Sequence, residues 1–458
     1  MSIEMLPDDV LLEIFDFFVR EAYHIEGWKP LVHVCRRWRS VVFGSPLRLN
    51  LRLFCSNSTP ARDTLDVWPA LPLFIECIGR AEIMDDIVAV LERSDSVCKI
   101  YLMNLKRSDL GTLSAAMQVP FPELTRLRLW LNDEIDETVS TLPDSFLGGS
   151  APRLEELWLD RIPFPGLPKL LLSATHLVDL RLEWIPHSGY FPPEAIVTAL
   201  STLTGLTTFW LRFNSPLSRP DPARQRPPPL THSVLPSLAW FSFRGVSEYL
   251  EIVVAPIDAP RLNHLDIIFF NDIVFDTPQF AQFISRTPML KPLKEARITF
   301  EDNAAMVKLS TSQSYSYDGL EVQISCRELD WQVSSMEQVC TSCVPSLPIL
   351  EDLHIYENSR WQQHWQDNIE NAVWLELLHP FTFVKNLYLS EYVARRIVPA
   401  LQELVGGRAT EVLPTLQNIF LEKGQPSGPV QEGIQLVVAV RQAAGHPVAV
   451  SYGRYIRY

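Results

Sequence analysis

The sequence predicts an α/β chain in which a small all-helical unit precedes a long stack of strand–helix repeats. Three observations carry this reading: a leucine hexad that recurs along most of the chain, helix-like stretches between its copies, and an opening segment apolar on nearly every side.

The hexad Leu-x-x-Leu-x-Leu is clearest at Leu124–Leu129, Leu154–Leu159 and Leu177–Leu182. Variants follow at Leu206–Leu211, Leu238–Phe243, Leu262–Ile267, Leu293–Ile298, Leu350–Ile355, Val384–Leu389 and Leu416–Leu421. A weaker early copy lies at Val97–Leu102 and a degenerate one at Leu320–Ile324. Between positions 97 and 416 the mean spacing is about 29 residues, at the upper end of the leucine-rich-repeat range. Each hexad reads as a short strand whose inward leucines no single unit can bury, so neighbours must stack to complete a core. Pro193–Leu200, Gln279–Ile284 and Glu391–Val398 space their apolar residues by three and four, as helices do, and Gly406-Gly407 offer the last of these a C-cap. The expectation is an irregular leucine-rich-repeat solenoid, a horseshoe with a concave parallel sheet and outer helices. The rival reading is an ordinary α/β domain that is merely rich in leucine.

At the N-terminus, Pro7, Asp8 and Asp9 suit a first helical turn, where proline's missing N–H has no partner and carboxylates meet the positive end of the dipole. The stretch Val10–Phe18 that follows is too apolar for a surface helix, which needs only one apolar stripe. A second helix over Pro30–Val42 places Leu31, Val34, Cys35, Trp38 and Val41 at helical spacing. Residues 1–50 therefore form a helical hook, 51–96 a connector and N-terminal cap, and 97–458 the repeat domain. The cap is expected to hold a strand at Leu71–Cys77 and a helix at Ile83–Leu91; a helix at Val430–Ala444 and an edge strand at Val448–Tyr452 close the far end, shielded by Arg454–Tyr458.

Leu6-Pro7, Leu11-Leu12-Glu13-Ile14-Phe15, Leu31-Val32-His33-Val34-Cys35-Arg36-Arg37-Trp38-Arg39 and Ser45-Pro46-Leu47, in that order, resemble the F-box motif, especially that of F-box proteins common in basidiomycete fungi. The resemblance covers about the first tenth of the chain, and the connector Val19–Trp28 is longer than usual for that family. It implies a three-helix F-box and the role of substrate-recognition subunit in an SCF-type cullin–RING ubiquitin ligase. By the same resemblance Leu6, Pro7, Leu11, Ile14, Phe15 and Leu31 contact a Skp-family adaptor, while Val34 and Trp38 hold the helices together. The alternative is a leucine-rich-repeat binding scaffold or inhibitor with no ligase attached.

Strand geometry selects the residues that face a target. The residue between the last two leucines of a hexad points away from the core. That row reads Arg128, Trp158, Arg181, Trp210, Ser242, Asp266, Arg297, Gln323, His354, Tyr388 and Phe420. Two residues on, a second row begins with Trp130 and includes Arg212 and Arg244. Tryptophan and arginine dominate binding hot spots, so Arg128, Trp130, Trp158, Arg181, Trp210, Arg212 and Arg244 are the candidate target-binding residues, suited to an acidic or aromatic segment.

Composition narrows the function. A net charge of −14 repels phosphate backbones and anionic lipid surfaces, which disfavours nucleic acid and membrane as partners. The opening residues are acidic, unlike a signal peptide, and seven scattered cysteines form no disulfide framework, so cytoplasm or nucleus is expected. Cys340-Thr341-Ser342-Cys343 is a lone pair where structural zinc needs four ligands, and His354, His364, Trp361 and Trp365 follow no ligand spacing, so neither a metal nor a cofactor is expected. The proline-rich Ser215–Leu230 reads as an insertion between repeats, with docking to an SH3 or WW domain as the sharper alternative, and Ser312–Tyr317 as a similar polar loop. No phosphate-binding, nucleophile-elbow or metalloprotease motif is present, so no enzymatic activity is expected.

Overall fold

The computed structural model describes residues 6–21, 27–46, 48–56, 65, 68, 70–78, 84–132, 141–221, 233–270, 276–291, 293–311, 318–343, 349–357, 369–404, 408–422 and 428–453. Several expectations lie wholly or partly outside these residues: the Gly406-Gly407 cap, the Arg454–Tyr458 tail, the Ser312–Tyr317 loop, most of the proline-rich stretch, and Trp361, His364 and Trp365. The chain divides into two compact units, Met1–Phe191 and Pro192–Tyr458. Each is mixed α/β. Among the described residues no helix is long and apolar enough to cross a membrane.

The first unit opens with three helices, α1 (Asp8–Glu21), α2 (Lys29–Val32) and α3 (Arg36–Gly44). Leu11, Phe15, Leu31, Val32 and Val42 are buried among them, and the Phe15 and Trp38 rings meet at 4.7 Å. Arg37 ties the start of α1 to α3 through Asp8 at 2.6 Å and the Leu6 carbonyl at 2.5 Å. Trp28, at the end of the connector, is fully buried; it packs on Trp68 at 5.1 Å and donates from Nε1 to the Arg52 carbonyl at 3.0 Å. Trp28 thereby fixes the hook to the first strand of the sheet.

That sheet has six parallel strands in chain order: β1 (Leu53–Cys55), β2 (Leu73–Ile78), β3 (Val97–Leu105), β4 (Arg126–Leu131), β5 (Glu156–Asp160) and β6 (Asp179–Ile185). The helices α4 (Met84–Leu91), α5 (Arg107–Ala116) and α6 (Leu167–Leu171) lie between strands in sequence. The hexads set the register: Leu127 pairs with Leu157 and Leu157 with Leu180, and Leu129, Leu159 and Leu182 form the next row. All six leucines are buried, each worth roughly 1.5–3 kcal/mol of apolar transfer, and no one strand can cover its own pair.

The second unit contains α7 (Pro193–Leu200), β7 (Thr208–Phe213), β8 (Ser233–Val234), β9 (Trp240–Gly245), α8 (Ser247–Val254), β10 (Ile257–Asp258), β11 (His264–Phe269) and α9 (Pro278–Arg286). There follow β12 (Glu295–Phe300), β13 (Ala304–Ser310), β14 (Gly319–Ser325), α10 (Leu329–Gln338), β15 (Asp352–Glu357) and α11 (Asn371–Leu378). It ends with β16 (Asn386–Leu389), α12 (Glu391–Gln402), β17 (Asn418–Glu422), α13 (Pro429–Ala443) and β18 (Ala449–Gly453). Phenylalanine replaces leucine in several inward rows, and Phe209 and Phe241 stack at 5.2 Å. Glu251 of α8 accepts hydrogen bonds from the Gln279 and Phe280 amides, so one repeat caps the first turn of the next repeat's helix.

The all-parallel expectation fails at one place. The sheet order in this unit is β7-β9-β11-β14-β13-β12-β15-β16-β17-β18, and β12, β13 and β14 form an antiparallel meander. Only Glu301–Asn303 join β12 to β13, and so short a connection permits an antiparallel hairpin but no parallel crossover. Gln332 of α10 holds this hairpin by donating to the Glu301 and Cys326 carbonyls, each at 2.8 Å. A register correction follows. Glu321, and not Gln323, pairs with Asp266, because Leu320 and Val322 take the buried positions.

Gly319 begins β14 with φ +138°, and a Cβ there would lie 2.1 Å from the Leu309 carbonyl oxygen. Gly319→Ala is expected to lower unfolding free energy by about 2–4 kcal/mol. Gly111, in α5 with nothing within 4 Å, should instead gain about 0.5–1 kcal/mol on the same change. Urea unfolding of the two variants reads both signs.

Candidate protein-binding surfaces

On α1 the apolar residues fall into two adjoining stripes. Leu11, Leu12 and Phe15 point inward and are buried. Pro7, Val10, Ile14, Phe17 and Phe18 occupy a neighbouring arc of roughly 100° and are exposed, Phe17 by 69%. Of the six residues that the F-box resemblance assigns to an adaptor, Pro7 and Ile14 are exposed and Leu6 is half-buried. Leu11, Phe15 and Leu31 are covered by the hook itself, so they support the surface from beneath and do not present it. Val34, expected to hold the helices together, is instead 59% exposed in the turn before α3. In the sequence the spacing 7, 10, 14, 17, 18 carries this outward stripe, but apolar residues throughout the segment conceal it.

The seven expected target-face residues fall in both units. In the first unit, strand register aligns Tyr101, Arg128, Trp158 and Arg181 in one row on the open face of the sheet. The Arg128 guanidinium lies over the Tyr101 ring at 4.6 Å and the Trp158 ring at 5.4 Å, and Arg181 covers Trp158 at 5.6 Å. Aromatic and cation alternate, each strengthening its neighbour. The arginines are already neutralised: Arg128 by Glu156, and Arg181 by a bidentate bond to Asp179 at 2.9 Å. They hold the tryptophan flat and are poorly placed to seek an acidic segment. Trp158 Nε1 is buried with no acceptor. Tyr101 belongs to this row as the fifth residue of the weak early hexad, the same position that Arg128 holds in the next one.

The next row holds Trp130, Asp160 and Glu183. Trp130 is 37% exposed while both carboxylates are buried. Asp160 Oδ1 makes no hydrogen bond and lies 3.6 Å from Arg161. Burial above all raises its pKa to about 6, with Arg161 opposing and Glu183 adding to the rise.

In the second unit Trp210, Arg212 and Arg244 lie on β7 and β9. Arg212 covers the Trp210 ring at 4.5 Å and bonds Ser242 Oγ at 2.9 Å and Asp266 Oδ2 at 2.7 Å; Ser242 in turn donates to Asp266 at 2.8 Å. Arg244 lies over the Phe270 ring at 5.3 Å, and burial followed by the charge of Arg212 lowers its pKa. Farther along, His354, Tyr388 and Phe420 stack at 4.0 and 4.5 Å. Burial, then the charge of Arg297, pushes the His354 pKa down to about 4, so the ring is neutral at physiological pH. Asp352, Asn386 and Asn418 run beside this stack as a side-chain ladder with bonds of 2.7 and 2.8 Å. Cys340 is buried, and no group of three metal-ligating side chains occurs among the described residues.

The Asp160 carboxyl has a testable signature. A folded pKa raised to about 6 stabilises the fold below the unfolded value near 3.8, and that contribution is lost as pH rises through 6. Asp160→Asn mimics the protonated form. Between pH 4 and 7 the parent should lose about 2 kcal/mol more stability than this variant, read by urea midpoints across that range.

No protein-family model matches the chain, and no curated protein matches it. Among solved structures it is similar to the leucine-rich repeat-containing protein LegL7 from Legionella pneumophila, at 13% identity over 71% of this chain and 93% of that one, with a TM-score of 0.26. A TM-score that low carries no argument about fold or function.

Proposed function

We propose that the chain is a substrate receptor of an SCF-type cullin–RING ubiquitin ligase. The hook binds a Skp-family adaptor, and the open sheet faces of leucine-rich-repeat units hold a target protein. The carrying observation is the outward apolar stripe on α1. The hook has its own finished core in Leu11, Phe15, Trp28, Leu31 and Val42, yet Val10, Ile14, Phe17 and Phe18 remain in water. A contiguous exposed stripe beside a completed core marks a protein contact. The F-box resemblance of residues 6–47 supplies the identity of that partner. A receptor of this kind accelerates ubiquitin transfer by holding the target near the charged conjugating enzyme, and it needs no catalytic side chain.

Pull-down of a Skp-family adaptor by the full-length chain tests the reading. Phe17→Asp and Ile14→Asp should each weaken capture by tenfold or more, at about 1.4 kcal/mol per decade, while leaving the thermal midpoint nearly unchanged. Phe15→Ala should act differently. It opens a cavity inside the hook and lowers stability by about 3–5 kcal/mol. If the parent chain retains no adaptor, the ligase reading fails and a leucine-rich-repeat scaffold or inhibitor takes its place.

A further inference from the structure

On the open face of β5, two side-chain atoms lie out of water without a hydrogen-bond partner. Trp158 Nε1 is a donor with no acceptor, and Asp160 Oδ1 is an acceptor with no donor. The great majority of buried polar atoms in native proteins are satisfied, so orphans of opposite kind on one strand require an explanation. Packing alone does not supply one. Asparagine in place of Asp160 would fill the same space without burying a charge, and burial is the chief cause that holds this carboxyl above its ordinary range. Arg161 stands 3.6 Å from Asp160 Oδ1, too far for a hydrogen bond. The same Arg161 nitrogen donates to the Leu131 carbonyl at 3.2 Å, and the guanidinium lies over the Trp184 ring at 6.0 Å.

Neighbouring strands complete the setting. Register places Trp130 of β4 beside Asp160 on one side and Glu183 of β6 on the other. Adjacent strands lie about 4.8 Å apart, so the two carboxylates are spaced to share one ammonium group, which has three donors and no acceptor. Both acidic residues are 8% exposed and Trp130 is 37% exposed, so the tryptophan is the side of this row that meets water. Among the described residues Trp130 stacks on no other ring and lies under no cation. An aromatic face beside carboxylates favours a cation. The arginines of the adjoining row do not fill that role, since Arg128 is bonded to Glu156 and Arg181 to Asp179. What the face lacks is a positive charge at Asp160 and an acceptor at Trp158. A lysine residue carries both, an ammonium at one end of a four-carbon stem and a backbone carbonyl at the other. Trp158 and Asp160 are about 6.6 Å apart along the strand, a span that an extended lysine covers.

We propose that Trp130, Trp158, Asp160 and Glu183 form a binding site for a lysine side chain on an extended segment of a target protein. The ammonium lies between Asp160 and Glu183 against the Trp130 ring, and the lysine's own carbonyl accepts from Trp158 Nε1. This rests on the reading of the first unit's open face as a protein-binding surface. A chain of net charge −14 also draws a basic partner toward it and repels an acidic one.

The test uses the full-length chain and fluorescence anisotropy at neutral pH. The probes are degenerate peptide pools that differ only in one central residue: lysine, the uncharged isostere norleucine, or glutamate. The lysine pool should bind about tenfold or more tighter than the norleucine pool. Asp160→Asn and Glu183→Gln should each bring that ratio near one, and Asp160→Asn should do so without lowering the thermal midpoint, since it removes a buried charge. Trp158→Phe, which removes the indole N–H, should weaken both pools alike and leave the ratio standing. Lysine preference surviving in Asp160→Asn, or a glutamate pool that binds tighter than the lysine pool, overturns the site. Equal binding of the lysine and norleucine pools, lost in both with Trp130→Asp, overturns the lysine site but leaves the protein-binding face standing. Binding of no pool overturns both.

Discussion

Most strands described in this chain carry a row of apolar side chains that their own strand–helix unit cannot keep from water. Leu127 and Leu129 are covered only because Leu157 and Leu159 lie beside them and Leu180 and Leu182 beyond. The free energy of folding is therefore held between neighbours and not within repeats. One consequence reaches the binding surfaces. Because inward residues alternate with outward ones, a register that buries leucine also fixes which residues face water, and a slip by one would exchange the two sets. The Tyr101–Arg128–Trp158–Arg181 row is in this sense a by-product of the leucine rows on either side of it.

The same dependence explains what was legible in the sequence. Where the hexad is regular, the strands, their order and their outward residues follow from it, as in β4, β5 and β6. Helices with strong spacing or clear ends, such as Pro193–Leu200 and the one closing the chain near Pro429–Ala443, were equally readable. The β12–β14 meander was not. Ala304–Ser310 alternates well enough for a strand but has no hexad, and a repeat reading carries no information on strands that lie outside the repeat. The misplacement of Gln323 has a related cause. The degenerate copy starts at Leu320, level with Leu265, the fourth residue of its hexad, so the outward residue read from it falls two positions late. Trp28 escaped because its role is long-range: nothing in its immediate neighbours shows that its indole will reach the Arg52 carbonyl.

Sequence identifies arginine on an exposed strand but not what it faces. Arg128, Arg181 and Arg212 are candidate target-binding residues by sequence, and each is bonded to a carboxylate: Glu156, Asp179 and Asp266 respectively. Glu156 sits on the next strand, Asp179 two residues away on the same one and Asp266 two strands over, positions that depend on register. A half-buried guanidinium without a partner would be unfavourable, so pairing is the ordinary outcome. The residues that remain available are aromatic, Trp130 foremost, and the face offers stacking area and shape more than positive charge.

The hook shows how narrow the difference is between a residue that builds a surface and one that presents it. Phe15 and Phe17 are two positions apart on one helix, so they point about 200° from each other. Phe15 meets Trp38 inside the hook; Phe17 meets water. A stripe of Val10, Ile14, Phe17 and Phe18 flanked by Asp9, Glu13 and Asp16 would be a liability in a chain that acts alone, since exposed contiguous apolar area invites aggregation. Stability of the hook gains nothing from these side chains, because its interior is already filled. Among the described residues the stripe stays exposed, which is the observation the proposed adaptor contact rests on, and its acidic border would suit a partner whose own rim tolerates or complements negative charge.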